Sequence, residues 1–387
     1  MEEIYLDNSA TTKISPRARD KMLSVMENRY GNPSSLHKKG LDSEHVIEEA
    51  RATLASSLGI SRFTRAEIIF TSGGTESNNL AIFGTVFAKK RAGKEKILTT
   101  RGEHASVEAP LKHLELLGYE IVRVPTDGGV IDLNYIKEHG KGAILATFMH
   151  VNNETGALYD LKSAFEAVKE VSPDCVLHAD CVQSYLKVKF TKQNIGADLI
   201  TISAHKVNGA KGTGALIVSP EIIKTKKLVP MLLGGGQEEG FRSGTENVYG
   251  ICAFGEAVRE HMERLDSELE KMRDIQGYII SSLEKIKGIR LNLPKSSAPH
   301  IVNISTNGVR SEIMLHYLSR EGIFVSSGSA CSSHSKKGLS PALVAFGLKP
   351  NEIDSAIRIS ISPETKKEYI DKLANSLSGA LSRLARR

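Results

Sequence analysis

The sequence predicts an α/β protein, with a mainly parallel sheet flanked by helices and a smaller α+β region after it. Three observations carry this expectation. From about residue 65 to 218, short β-rich runs alternate with helical patterns. Those runs are apolar along their whole length, as strands covered on both faces must be. After about residue 250 the pattern changes to one long helix, short strands and a closing helix.

In chain order, "EIIFTS" (67–72) is the first strand and "ESNNLAIFGTVFAKK" the helix that follows. "KILTT" (96–100) is a strand, followed by the helical "ASVEAPLKHLELLG". "YEIVRVP", "GAILATFMH", "CVLHAD", "ADLITISA" and "GALIVS" are further strands, with "LKSAFEAVKEV" a helix among them. The stretch from "ICAFGEAV" to "EKIKG" reads as a long helix with a break. "HIVNIS" and "SAIRISI" are strands either side of the helix "RSEIMLHYLSR", and "KKEYIDKLANSLSGALSRLARR" closes the chain as a helix. A length of 387 residues exceeds what one small core serves, so two domains are expected. The large one spans 15–255. The smaller combines 1–14 with 256–387, the first residues packing on it.

Composition narrows the function classes. Lys+Arg is 51 against Asp+Glu at 45, a weak and scattered basic excess that does not point to nucleic acid. No run approaches the roughly 18 apolar residues of a membrane span, and the N-terminus lacks an apolar leader core. The cysteines Cys175, Cys181, Cys252 and Cys331 form no C-x-x-C pair and no disulfide framework, so a reducing cytoplasm is expected and no metal site is.

Ligands of open α/β sheets sit beyond the carboxyl ends of strands. "TSGGTESNN" (71–79) carries a strand into glycines and then a helix near Thr75, which suits either a phosphate or a capping turn. Asp180, in "HADCVQ", ends an apolar strand; it either caps the next segment or meets a cation such as a protonated ring nitrogen. Lys206, in "TISAHKVNGAKGTGAL", lies at another strand end, as a surface residue or as an amine for a Schiff base. Ser203 and His205 flank it within reach of a phosphate. His104, in "GEHASV", is a loop residue or a stacking partner for a flat ring. Taken as a set, these residues describe a bound pyridoxal phosphate (PLP).

The set sits among "YLDNSATT", "YGNPSSLH", "MHVNNETG", "GGGQEEGFRSGTENV", "SSGSACSS" and "SAIRISIS". With them, nearly the whole chain resembles cysteine desulfurases of the NifS/IscS type. These belong to the class V aminotransferase group of PLP enzymes, with the seven-stranded fold-type I sheet. The resemblance implies a role for each matching position. Lys206 would link the cofactor aldehyde, Asp180 would pair with the ring nitrogen, and Gln183 would bond the ring hydroxyl. His104 would stack on the ring and move protons, and Asn153 would touch ring or substrate. Gly74, Thr75, Ser203 and His205 would hold the phosphate, joined by Thr245 from the second subunit of a homodimer. Asn32 and Arg358 would clamp the carboxylate of L-cysteine, a role that suits the planar fork of Arg.

Cys331 would be the nucleophile of the segment 325–341, receiving sulfur as a persulfide while alanine leaves. The thiolate is the reactive form, and at an ordinary pKa only roughly 3% of a thiol is ionised at pH 7. His334, Lys336 and Lys337 would raise that fraction if they lie near. The sulfur would pass to an iron–sulfur scaffold or another acceptor protein. One departure stands out: Cys181 follows Asp180 where the family commonly has alanine, which would place an oxidation-sensitive thiol near the cofactor. A class V aminotransferase or lyase, and a scaffold that has lost its chemistry, are the competing readings. Cys331 speaks against the first and Lys206 against the second.

Overall fold

The structure is a computed structural model that describes residues 2–88, 95–327 and 339–384. The chain opens with β1 (Ile4–Tyr5), α1 (Pro16–Asn28) and α2 (Lys38–Ser57). The alternating part holds β2 (Ile68–Thr71), α3 (Gly74–Ala88), β3 (Lys96–Thr100), α4 (Ala105–Leu116), β4 (Glu120–Val124), α5 (Leu133–His139), β5 (Ala143–Met149), α6 (Leu161–Val171), β6 (Val176–Asp180), α7 (Lys192–Ile195), β7 (Leu199–Ser203), β8 (Gly214–Val218) and α8 (Pro220–Lys224). After it come α9 (Val248–Leu283), β9 (Ile289–Leu291), β10 (Ile301–Thr306), α10 (Ser311–Arg320), β11 (Ile323–Phe324), β12 (Ser326–Ser327), α11 (Pro341–Ala345), α12 (Pro350–Asp354), β13 (Ala356–Ser360) and α13 (Lys367–Leu384).

The seven-stranded sheet has the order β2-β8-β7-β6-β5-β3-β4. Only β8 runs against its neighbours β7 and β2. The loop 204–213 between β7 and β8 is too short for a helical crossover, so the chain must turn straight back. That loop carries Lys206. The strands β7, β6, β5 and β3 lie side by side and parallel, so their carboxyl ends open on one edge.

The C-terminal part forms an antiparallel sheet, β12-β13-β10-β9. The first strand, β1, pairs in parallel with β11, so the start of the chain packs on this part. There are two large apolar clusters on α9. Val248–Val258 joins the core of the seven-stranded sheet, while Leu269, Met272, Ile279 and Leu283 join a second core with Ile304, Ile357 and Leu377. The expected break in this helix is absent: α9 is continuous over 36 residues. Packing along both halves sustains it past its glycines, and Asn247 caps it by accepting from Gly250 N at 3.1 Å.

Candidate active site

At the end of β6, Asp180 is held from two sides. Asn78 Nδ2 donates to Oδ2 at 2.8 Å and Val182 N to Oδ1 at 3.0 Å. Asn78 Nδ2 also donates to Ser106 Oγ at 2.8 Å. His104 caps α4, and its Nδ1 accepts from Ser106 N at 3.2 Å and lies 2.8 Å from Ser106 Oγ. Nδ1 is therefore the acceptor, and the proton of the neutral ring sits on Nε2. Burial lowers the pKa of His104, helped by Lys206 and opposed by Asp180. Sequence reasoning passed over Asn78, which ties Asp180 to His104. Asn78 lies in the polar first turns of α3, ahead of its apolar run, and only its burial marks it. The half-buried acid Glu103, next to His104 with its Oε2 enclosed, was also missed; desolvation of the carboxyl pushes its pKa up to about 8.

A second group lies between the start of α3 and the end of β7. A Cβ added to Gly74 would come within 2.8 Å of Val182 Cγ2 and 3.8 Å of Ser203 Cβ, so only glycine fits this floor. Ser203 Oγ is buried without a hydrogen-bond partner. A helix N-terminus has unpaired N–H groups, and an orphan hydroxyl beside them over a glycine floor suits a phosphate. Thr75 is exposed at the same helix start. His205 Nδ1 instead meets Thr11 Oγ1 at 3.2 Å, and burial, with Lys206 close by, lowers its pKa to about 4.

Lys206 reaches the segment after β1, where Nζ donates to Ser9 O and, at 2.9 Å, to Ala10 O. Gln183 Nε2 donates to the same Ser9 O at 2.9 Å, and Gln183 Oε1 is buried and unpartnered. Arg358, on β13, donates from Nη1 to Asn153 O at 2.9 Å and from Nη2 to Asp7 Oδ1 at 2.6 Å. Asn153 thus meets Arg358 through its backbone. Glu154, next in the chain, accepts from Ser340 Oγ at 2.7 Å. Asp7, Ser9 and Glu154 were legible in quoted motifs, yet nothing in their spacing signalled these contacts.

Two predicted residues stand apart. Asn32 is exposed between α1 and α2 and accepts from Ser34 N at 3.0 Å. No hydrogen bond joins it to Arg358 among the described residues. Thr245 is exposed in the loop ahead of α9. Cys331, His334, Lys336 and Lys337 lie outside the described residues. Cys181 is fully buried beside Asp180, and burial raises the pKa of its thiol, so it is neither ionised nor accessible as the sequence suggested.

A sheet whose parallel strand ends gather Lys206, Asp180 and His104 matches a known class: the chain belongs to the class-V aminotransferase family, whose model covers residues 4–373. It is 38% identical over 386 residues to "Cysteine desulfurase IscS" of Dictyoglomus turgidum, across 99% of this chain and 95% of that one. A solved structure called "NIFS-LIKE PROTEIN" superposes with a TM-score of 0.91 at 30% identity, over 98% of this chain and 100% of that one. Another, "SspA in complex with cysteine", superposes at 0.77 with 27% identity, over 94% of this chain and 100% of that one.

Proposed function

We propose that this chain is a PLP-dependent cysteine desulfurase that moves sulfur from L-cysteine to Cys331 and releases L-alanine. One observation carries the reading: Asp180, tied through Asn78 to His104, lies on the strand edge that also bears Lys206 and the Ser203–Gly74 floor. Relatives named cysteine desulfurase, matched along nearly the whole chain, support it.

Lys206 is the tether for the cofactor aldehyde, Ser203, Gly74, Thr75 and His205 its phosphate site, and Gln183 the partner of its ring hydroxyl. When bound, the cofactor supplies an electron-withdrawing ring that weakens the bonds of the substrate α-carbon. Asp180 keeps a proton on the ring nitrogen. Arg358 takes the substrate carboxylate in place of Asp7, and Asn153, with Asn32, completes that end. Lys206 Nζ would carry the Cα proton, and His104 Nε2 would hold or return a proton. The Cys331 thiolate attacks the substrate Sγ. The new S–S bond uses the thiolate pair, the Cβ–Sγ pair stays on Cβ, and Cβ takes a proton to give alanine.

The same reading has two domains, 15–255 and 1–14 with 256–387. It also has a homodimer, in which Thr245 reaches the neighbour's phosphate. Met231, Leu232 and Leu233 are exposed ahead of that loop, a surface a second copy would cover. The acceptor is an iron–sulfur scaffold or another thiol protein, met in the cytoplasm. No helix among the described residues is long and apolar enough to cross a membrane.

Mass spectrometry of Cys331 after incubation with L-cysteine tests the proposal, with added sulfur on this residue and alanine in solution expected. Cys331→Ser should keep the coloured cofactor and release no sulfide. Sulfide release unchanged in that variant overturns the persulfide role. Lys206→Ala should lose the lysine-linked visible band.

A further inference from the structure

Lys187 lies in the turn after β6, outside the residues given a task above. It is 8% exposed, and its Nζ has no hydrogen-bond partner. A lone ammonium in the interior is strongly disfavoured, because no dipole replaces the lost water. Its surroundings add to the difficulty. Lys206, after β7, and Arg358, on β13, both act on it as like charges. His300, just ahead of β10, is fully buried with neither ring nitrogen partnered, and Lys187, Arg358 and Lys206 all hold it unprotonated. His205 is held neutral by burial first, with Lys206, Lys211 and Lys187 adding to it. Glu154, near Arg358, has its pKa raised by burial. The carboxylate hydrogen-bonded to this group is Asp7, on Arg358.

We propose that Lys187 is a second cation of the substrate-carboxylate site, and that it takes up a proton from solvent when a carboxylate binds at Arg358. The proposal rests on the reading of Arg358 given above. Burial above all, then the Lys206 amine while it is free of cofactor, and Arg358, bring the Lys187 amine down to about 7, so near neutral pH the site is poised between its two forms. An arriving carboxylate favours the charged form. Lys187 is a positioning residue: it adds attraction for the anion and touches no reacting atom.

The linkage has a sign. Above pH 7 the free site is neutral at Lys187, so binding must bring a proton and weakens as pH rises. Propionate is a suitable probe, since its carboxylate is ionised throughout pH 7–9 and nothing else on it titrates. Calorimetric titration of the holoenzyme at pH 8, in two buffers of different ionisation enthalpy, reads the proton directly. The wild type should take up close to one proton per propionate. K187M should take up none, bind roughly tenfold more weakly, and melt at a higher temperature, because a thioether replaces a lone amine. Equal proton uptake in both proteins, or none in the wild type, overturns the proposal. If the wild type does not bind propionate at all, the assignment of Arg358 as the carboxylate clamp falls, and this inference with it.

Discussion

Asn78 commits both amide protons to the site, one to Asp180 Oδ2 and one to Ser106 Oγ. Asn78→Ala leaves the Asp180 carboxylate and the serine that sets the His104 tautomer each short of a donor. The loss is about 1–3 kcal/mol, or roughly 10- to 100-fold in kcat/KM. Steady-state turnover of L-cysteine, with cofactor retention after dialysis, measures it. The glycines of "TSGGTESNN" announced a helix start, and Asp180 announced itself by ending an apolar strand. Asn78 sits one turn into that helix, where only its burial marks it. Lys187 was less legible still: in "SYLKVKF" it has the spacing of a solvated strand lysine, and the fold alone turns it inward. Asn32 and Thr245 rested on likeness to a family, with no physical signal of their own, and they are the predicted residues that stand apart.

The loop ahead of α9 is held by a buried ion pair. Arg51, on α2, donates to both oxygens of Glu238 at 3.0 Å, and Phe70 N donates to Oε2 at 2.8 Å. Arg51 also donates to Ile68 O and lies over the Phe70 ring, 4.9 Å from its centroid. Glu238 and Glu239 take positive φ of 50° and 56°, a conformation non-glycine residues keep only when their surroundings impose it. Glu238→Gln should cost about 1–3 kcal/mol, because it removes the fully buried one of the two carboxylates on Arg51 and leaves Glu48, 3.2 Å from Nε and partly exposed, as the remaining countercharge. Urea unfolding reads that cost. Pairing the change with Arg51→Met should recover much of it. The long helix offers a second test. Gly255 faces Ala50 so closely that a Cβ would come within 2.8 Å of its Cα and Cβ. Gly255→Ala should destabilise by about 1–3 kcal/mol through overpacking, seen as a lower urea midpoint. The sequence read α9 as broken; in three dimensions it is continuous, and Gly255 lets it lie close against α2.

Across the whole molecule, burial sets the response to acid. Desolvation lowers the pKa of His150 to about 4 and of His178 to about 3. His205 is brought to about 4 and His300 well below its ordinary range, in both cases by burial first. For a base with a depressed folded pKa, stability is present above the unfolded pKa and lost as pH falls through the folded one. These four histidines are neutral when folded and take up protons when unfolded. The urea midpoint should therefore fall steadily from about pH 6.5 to 4. Replacing His178 by Gln should flatten that acid limb in a denaturation series across the window. The architecture that buries them was largely legible, because fully apolar runs punctuated by polar strand ends admit few arrangements. The first residues were expected on the smaller domain; what stayed hidden was their partner strand, since β1 has too few residues to advertise one. Its pairing with β11 also imposes an order on biogenesis. Asp7, Ser9 and Ala10, which meet Arg358, Gln183 and Lys206, leave the ribosome well ahead of β11. They then wait for some three hundred more to be synthesised before their own edge exists.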